Sequence, residues 1–188
     1  MTVARSCQDV RVTERFVLFD GEGIDGWAMA GPGGFELVDG ALESRGGMGL
    51  LWYRARSFGD FTLDVHWQVQ RVEDNSGVFV RFPDPGDDPW VAVDEGYEIQ
   101  IHDTAPEPIH QTGGLYSFAA PAFVASNPPR AWNHLWIRCA GQQYEVALNG
   151  AVVTRFRGDR RTDGFVGLQN HDPQSRVRFR RVEATALA

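Results

Sequence analysis

The chain consists of many short runs rich in β-branched, aromatic and leucine residues, separated by glycine- and proline-rich turns. The alternation is clearest from Phe61 to Val69, where every odd-numbered residue is apolar and every even-numbered residue is polar. A period of two predicts a strand with one buried face, and no segment keeps a helical period of useful length. Further strands are predicted over Gly77 to Phe82, Tyr97 to Ile101, Leu135 to Cys139, Tyr144 to Leu148, Phe165 to Gln169 and Val177 to Val182.

Turn signals lie between the predicted strands. Asp39-Gly40 and Asn149-Gly150 are dipeptides that tolerate the positive φ values of two-residue hairpins, and Gly141 marks a third turn. We therefore predict one antiparallel β domain over residues 16–188, preceded by an N-terminal tail over residues 1–15. The number and spacing of the strands favour a two-sheet β-sandwich over a closed barrel.

Charge and composition exclude several classes of function. The formal net charge is -7 and the sequence pI is about 5.2, so neither nucleic acid nor a membrane surface is an expected partner. All 18 cationic side chains are arginine, which removes lysine Schiff-base chemistry. Cys7 lies in the polar tail, and Cys139 lies in an apolar run and is expected in the core. Since the first residues lack the apolar stretch of a signal peptide, a cytoplasmic location is expected.

Strand parity groups a set of polar side chains on one face of a sheet. Because side chains alternate along a strand, the apolar residues must point inward and their neighbours outward. The outward set comprises Asn75, Gly77, Phe79 and Arg81 on one strand, Glu98, Gln100 and His102 on a second, and Phe165, Gly167, Gln169 and His171 on a third. If these strands are neighbours, their polar groups form one concave surface, and Gly77 and Gly167 leave gaps through which a ligand could approach the backbone. The alternative is a hydrogen-bonded face without a ligand.

Two long irregular stretches, residues 83–95 and 104–130, flank the strand that carries Glu98. Long loops in a compact domain are commonly functional. Their aromatic residues could stack on sugar rings or could simply anchor the loops: Trp90, Tyr116, Phe118 and Phe123. His110 lies in the second loop and could close over a site, whereas His66 and His134 are expected to be structural. No cofactor is predicted, and the metal requirement stays open: adjacent residues such as His102 and Asp103 point to opposite sides of a strand, so a metal site would need ligands from different strands.

An ordered set of motifs resembles the 3-keto-disaccharide hydrolase domain family. The set covers nearly the whole chain from Phe16: Leu18 to Gly21, Gly26-Trp27, Asp39-Gly40, Asp60-Phe61, Asn75 to Val78 with Arg81, Gly96 to Gln100, Thr112 to Tyr116, Trp132-Asn133, Leu148 to Gly150, Gly164 to His171 and Phe179-Arg180. The resemblance implies a concanavalin A-like jelly-roll sandwich that acts on or binds 3-keto-glycosides. A carbohydrate is therefore the expected partner.

The chemistry of a 3-keto sugar assigns roles to the outward residues. The C3 carbonyl acidifies the C2 hydrogen, so a base can remove it and the C1 aglycone can leave by elimination, with water added afterwards. This route needs a base, an acid and donors that stabilise an enolate. The catalytic candidates are Glu98, His102 and His171, with Asp103 as a reserve acid, and the substrate-binding candidates are Asn75, Arg81, Gln100, Tyr116 and Gln169.

Two other classes of function stay open. A non-catalytic, lectin-like carbohydrate-binding domain needs aromatic platforms and amides but no clustered acid and base. A structural domain needs an exposed apolar patch. Fold alone does not separate an enzyme from a binding module, and the density of Glu98, His102 and His171 favours the enzyme.

Overall fold

The computed structural model describes residues 14–188, which form two antiparallel sheets packed face to face. The predicted β-sandwich is confirmed. Residues 1–13, which hold Cys7 and most of the predicted tail, lie outside the described residues. In chain order the strands are β1 (Arg15–Phe19), β2 (Trp27–Ala30), β3 (Gly34–Val38), β4 (Ala41–Arg45), β5 (Gly49–Tyr53), β6 (Phe61–Val69), β7 (Ser76–Phe82), β8 (Tyr97–Ile101), β9 (Asn133–Ala140), β10 (Gln143–Leu148), β11 (Ala151–Arg157), β12 (Phe165–Asn170) and β13 (Val177–Ala186).

The two sheets differ in size. The eight-stranded sheet has the order β11-β10-β9-β6-β13-β4-β3, and β1 also pairs with β13. The five-stranded sheet has the order β2-β5-β12-β7-β8. The three strands with outward polar residues, β12, β7 and β8, are therefore neighbours in the smaller sheet.

Tight turns set the register of the larger sheet. Asp39 and Gly40 between β3 and β4 both have positive φ, at 50° and 70°, and Asn149 and Gly150 between β10 and β11 have φ of 51° and 85°. Positive φ at both central residues gives the hairpin turn whose twist matches that of the strands. Both hairpins agree with the sequence prediction.

The main core lies between the sheets and draws the inward-facing residues from both. Tyr97, Ile99 and Ile101 of β8 and Trp67 of β6 belong to this core. Cys139 is fully buried in this core, where desolvation raises the pKa of its thiol to about 12. It is therefore a packing residue, as expected.

A short helix, α1 (Trp90–Glu95), covers part of the outer face of the smaller sheet. Its Ala92 packs in a second apolar cluster with Leu50, Phe79 and Phe82, which point away from the main core. The sequence analysis predicted an irregular segment here, because six residues are too few to show a helical period. The helix leaves the rest of the outer face open, beside the ends of β8 and β12.

The edge of β8 is covered by the second long loop. Gly113 donates to the Gln100 carbonyl at 2.9 Å, Gln100 donates to Gly114 at 3.0 Å, and Tyr116 donates to Glu98 at 2.9 Å through main-chain atoms. These bonds extend the sheet by one irregular segment and satisfy the exposed strand edge. They also hold the loop against the open part of the outer face.

Candidate functional site

A cavity of about 420 Å³ occupies the open part of the outer face. Its floor is formed by β8, by the end of β12 and by Asn75 just before β7, and its walls by α1 and the 104–130 loop. The residues that line it are Met48, Asn75, Trp90, Val93, Glu98, Gln100, His102, Ala105, Pro106, His110, Tyr116, Gln169 and His171. This volume is in the range of small-molecule sites.

The cavity contains all three catalytic candidates and four of the five substrate-binding candidates from the sequence: Glu98, His102, His171, Asn75, Gln100, Tyr116 and Gln169. Glu98 and Gln100 of β8 and Gln169 of β12 come together because both strands pair with β7. The other four lie just outside these strands or in the 104–130 loop. Their roles remain predictions.

Arg81 is the exception, and its predicted position on this face is wrong. Its φ is 56°, and the pairing of β7 with β12 shifts next to it. Such a bulge turns the side chain to the other face of the sheet. The buried guanidinium donates to Tyr144 at 3.1 Å and to Asp60 at 2.9 Å, and also to the carbonyls of Gly59 and Gly141. Arg81 is thus a structural residue that joins the two sheets.

Glu98 is the buried carboxyl group of the cavity floor, with 6% of its surface exposed. Burial raises its pKa from 4.5 to about 8, although a hydrogen bond from Gln169 opposes the shift. With the Gln100 amide oriented so that its nitrogen faces acceptors, this nitrogen donates to Glu98 Oε1 at 2.9 Å and to the Ser76 carbonyl at 3.0 Å. The Gln169 Oε1 atom is buried without a hydrogen-bond partner among the described residues. Glu98 is therefore a protonated acid at neutral pH, held by two amides.

The gaps at Gly77 and Gly167 are filled by the protein itself, which corrects the expectation that a ligand would enter them. A Cβ atom on Gly77 would lie 2.0 Å from Oε1 and 2.7 Å from Cδ of Glu98. At Gly167 it would lie 2.7 Å from Cδ1 of Leu50. Gly77 therefore provides the space that the Glu98 carboxyl group occupies.

Gly77→Ala is expected to lower the free energy of unfolding by about 1–3 kcal/mol, because the new methyl group must displace a buried carboxyl group from its hydrogen bonds. Urea unfolding measures this change. Gly34→Ala is the matched control, since a Cβ atom there meets no atom within 4 Å. Equal stability of the two variants would contradict the close contact between Gly77 and Glu98.

Two imidazoles face the same cavity. The pKa of His102 is lowered below 6.5, mainly by desolvation and to a smaller extent by the nearby His171. His102 is therefore neutral at neutral pH. Nδ1 of His171 lies 3.0 Å from Oδ2 of Asp172. Desolvation alone would raise the pKa of Asp172, but hydrogen bonds from His171, Ser175 and Gln174 outweigh it and lower the pKa to about 2. The cavity thus combines the carboxyl group of Glu98 with two imidazoles.

The rim of the cavity is apolar and aromatic. Trp90 of α1 is 56% exposed, and the ring of Tyr116 stacks on His110 with 4.5 Å between centroids. Sequence reasoning singled out these rings but could not place them, because loops have no periodicity. It missed Met48, Val93, Ala105 and Pro106, which carry no chemical signal in the sequence.

Other residues singled out in the sequence lie elsewhere. Phe118 packs on Tyr97 with centroids 5.2 Å apart, and Phe123 is not part of the cavity lining. Asp103, the reserve acid, accepts hydrogen bonds from Thr112 at 2.5 Å and from Ser126 at 2.7 Å and does not line the cavity. His66 and His134 lie on the larger sheet, where His134 Nε2 is 2.7 Å from Asp64.

Two further observations concern residues 14–188. Within this range no group of three or more His, Cys, Asp or Glu side chains is arranged to hold a metal ion. No helix in the same range has the length and apolar character needed to cross a bilayer.

A second concavity of about 700 Å³ is lined in part by Trp52, Arg54, Asp84 and Phe165. It lies at the other end of the smaller sheet and, among the described residues, has no histidine in its lining.

Comparison with known proteins gives both a sequence family and structural neighbours. The family model described as a 3-keto-alpha-glucoside-1,2-lyase-like domain matches residues 15–185. A structure of a candidate glycosyl hydrolase from Parabacteroides distasonis ATCC 8503 is 25% identical, with a TM-score of 0.75 over 93% of this chain and 100% of that one. A second from the same organism is 21% identical, with a TM-score of 0.77 over 93% and 94%. The carbohydrate-binding module CBM66 from Bacillus subtilis is 16% identical, with a TM-score of 0.64 over 84% and 94%. No curated protein matches the chain.

Proposed function

Because the chain belongs to the 3-keto-alpha-glucoside-1,2-lyase-like domain family, we propose that it is a glycoside-processing enzyme that cleaves 3-keto-glycosides in the cavity on the smaller sheet. The observation that carries the proposal is the placement of a protonated carboxyl group, Glu98, in one cavity with the imidazoles of His102 and His171. Proton transfer at neutral pH usually requires one group that holds a proton and a second group that can accept one. A purely sugar-binding site has no need of them.

The reaction begins at C2 of the sugar. A base removes the C2 proton, and the electron pair forms an enolate with the C3 carbonyl. When the carbonyl re-forms, the pair moves into a C1–C2 double bond, the C1–O bond breaks, and the aglycone oxygen takes a proton from an acid. Water then adds across the double bond to give the 3-keto sugar.

Glu98 suits the role of the acid and His171 that of the base. The carboxyl group of Glu98 holds its proton up to about pH 8 and can give it to the departing oxygen. His171 engages Asp172 through Nδ1 and makes no hydrogen bond through Nε2 to any described residue, so Nε2 is available to take a proton. The amides of Asn75, Gln100 and Gln169 are the polar groups that can hold the sugar hydroxyls and the developing enolate oxygen.

A retaining hydrolase mechanism has less support. That mechanism requires a carboxylate nucleophile and a carboxylic acid about 5–5.5 Å apart. Glu98 is the only carboxyl group in the cavity lining among the described residues, and Asp103 is held outside it. Elimination next to a ketone needs only one carboxyl group.

A non-catalytic carbohydrate-binding domain is the second candidate. It is favoured by the likeness in fold to the CBM66 module and by the exposed Trp90 beside Tyr116 at the cavity rim. Aromatic rings of this kind offer flat apolar faces to a sugar. Such a domain would bind a 3-keto sugar without changing it.

The deciding experiment follows aglycone release from a chromogenic 3-keto-glucoside and from its unoxidised parent, using chelator-treated protein. We expect release from the keto substrate and none from the parent, because only the ketone acidifies the C2 hydrogen. Release that returns only after a metal is added would assign an ion to the reaction. If neither substrate reacts while calorimetry still detects sugar binding, the enzyme proposal fails and the binding domain replaces it.

A further inference from the structure

The segment after β12 holds one carboxylate in a closed set of hydrogen bonds. Oδ1 of Asp172 accepts from the backbone N–H groups of Gln174 at 2.7 Å and Ser175 at 2.8 Å. Oδ2 accepts from the Ser175 hydroxyl at 2.7 Å and lies 3.0 Å from Nδ1 of His171. With three donors fixed by the local turn, the carboxylate has a defined position beside the imidazole.

The same segment is attached to the cavity floor. The backbone N–H of Asn75 donates to the Ser175 hydroxyl at 2.9 Å, so Ser175 links Asp172 to the start of β7. The other end is anchored by Ser44 of β4, whose hydroxyl donates to the Ser175 carbonyl at 3.3 Å and accepts from Val177 at 3.0 Å. Asp172 is therefore held by both sheets, although His171 itself is exposed.

We propose that Asp172 is a positioning residue that keeps the proton of the His171 ring on Nδ1 and thereby presents Nε2 to C2 of the sugar. A carboxylate beside one ring nitrogen fixes both the tautomer and the orientation of an imidazole. The pKa of Asp172 is lowered to about 2, so the side chain is a charged acceptor at neutral pH. This inference rests on the proposed role of His171 as the base.

Asp172→Asn tests the inference, because the amide keeps the shape of the side chain but loses the carboxylate. We expect kcat for the 3-keto-glucoside to fall about 10²-fold with KM changed less than about threefold. The second measurement is the ¹⁵N chemical shift of the two His171 ring nitrogens, which reports the tautomer without turnover. The proton should sit on Nδ1 in the wild type and move to Nε2 in the variant.

Asp64→Asn is the matched control, since Asp64 pairs with another histidine, His134, on the larger sheet. Its kcat should equal that of the wild type. Ser175→Ala provides a second test if Asp172→Asn does not fold: it keeps the carboxylate, removes the hydroxyl's hydrogen bonds with Asp172 and with the Asn75 N–H, and should lower kcat by a smaller factor.

The outcomes separate the two proposals. If the wild type releases no aglycone but the tautomer still moves in Asp172→Asn, the proposed function fails while the structural role of Asp172 stands. If the wild type is active and Asp172→Asn keeps both its kcat and the Nδ1 tautomer, the inference is wrong. A shifted tautomer with unchanged kcat would also overturn it, because the orientation of His171 would then not limit the reaction.

Discussion

Glu98→Gln is expected to lower kcat/KM for a 3-keto-glucoside by roughly 10²–10⁴-fold, the usual contribution of a positioned general acid. Glutamine has nearly the same size and can still hydrogen-bond to Gln100 and Gln169, but it has no acidic proton for the aglycone oxygen. Sugar binding should therefore persist in calorimetry while release stops. A variant as active as the wild type would remove Glu98 from the mechanism.

The same substitution should make the protein more stable at neutral pH. Burial raises the pKa of Glu98 from 4.5 to about 8, so the folded state keeps a proton that the unfolded state releases. The stability linked to this proton is complete below pH 4.5 and falls as the pH rises towards 8. At pH 7 the loss is on the order of 3 kcal/mol. Glutamine does not titrate and escapes this loss.

Urea unfolding at pH 5 and pH 7 measures the difference. The stability of Glu98→Gln relative to the wild type should grow by about 2 kcal/mol between the two pH values. Glu95→Gln is the control, because Glu95 is exposed at the end of α1 and outside the cavity. If the two variants respond to pH in the same way, Glu98 is ionised in the folded protein and is not the acid.

Strand parity predicted much of the site because alternation is a local property of the backbone. Glu98, Gln100 and His102 must share a face once Ile99 and Ile101 are buried, and the same reasoning places Gln169 opposite its buried neighbours on β12. The sequence could not state that β12, β7 and β8 are neighbours. That order depends on long-range pairing, so in the sequence analysis it could stand only as a condition.

Arg81 marks the point where parity fails. A bulge adds one residue to a strand and reverses the face of the residues after it, and the left-handed φ of Arg81 has no signature in its residue type.

The rim of the cavity could not be predicted from the sequence either. Trp90 reaches the cavity only because Ala92 anchors α1 on Phe82 and its neighbours, a contact set by tertiary packing. The polar floor was thus more predictable than the walls.

The second large effect on kcat is expected from removing the proposed base. His171→Ala is expected to reduce kcat by roughly 10²–10⁴-fold, since no other group would take the C2 proton at that position. His102→Ala should have a smaller effect on kcat, because the proposed mechanism gives the C2 proton to His171 and not to His102. His134→Ala, the control on the larger sheet, should leave kcat unchanged.

Chemical rescue distinguishes a lost base from a damaged site. The side chain of His171 is 44% exposed, so its removal opens a space at the cavity mouth that free imidazole can enter from solvent. Added imidazole should therefore restore part of the activity of His171→Ala, in proportion to its neutral form, and should not restore Glu98→Gln. If instead His102→Ala is the inactive variant and imidazole rescues that one, the base is His102. The carboxylate of Asp172 would then orient a ring that does not touch the reacting proton.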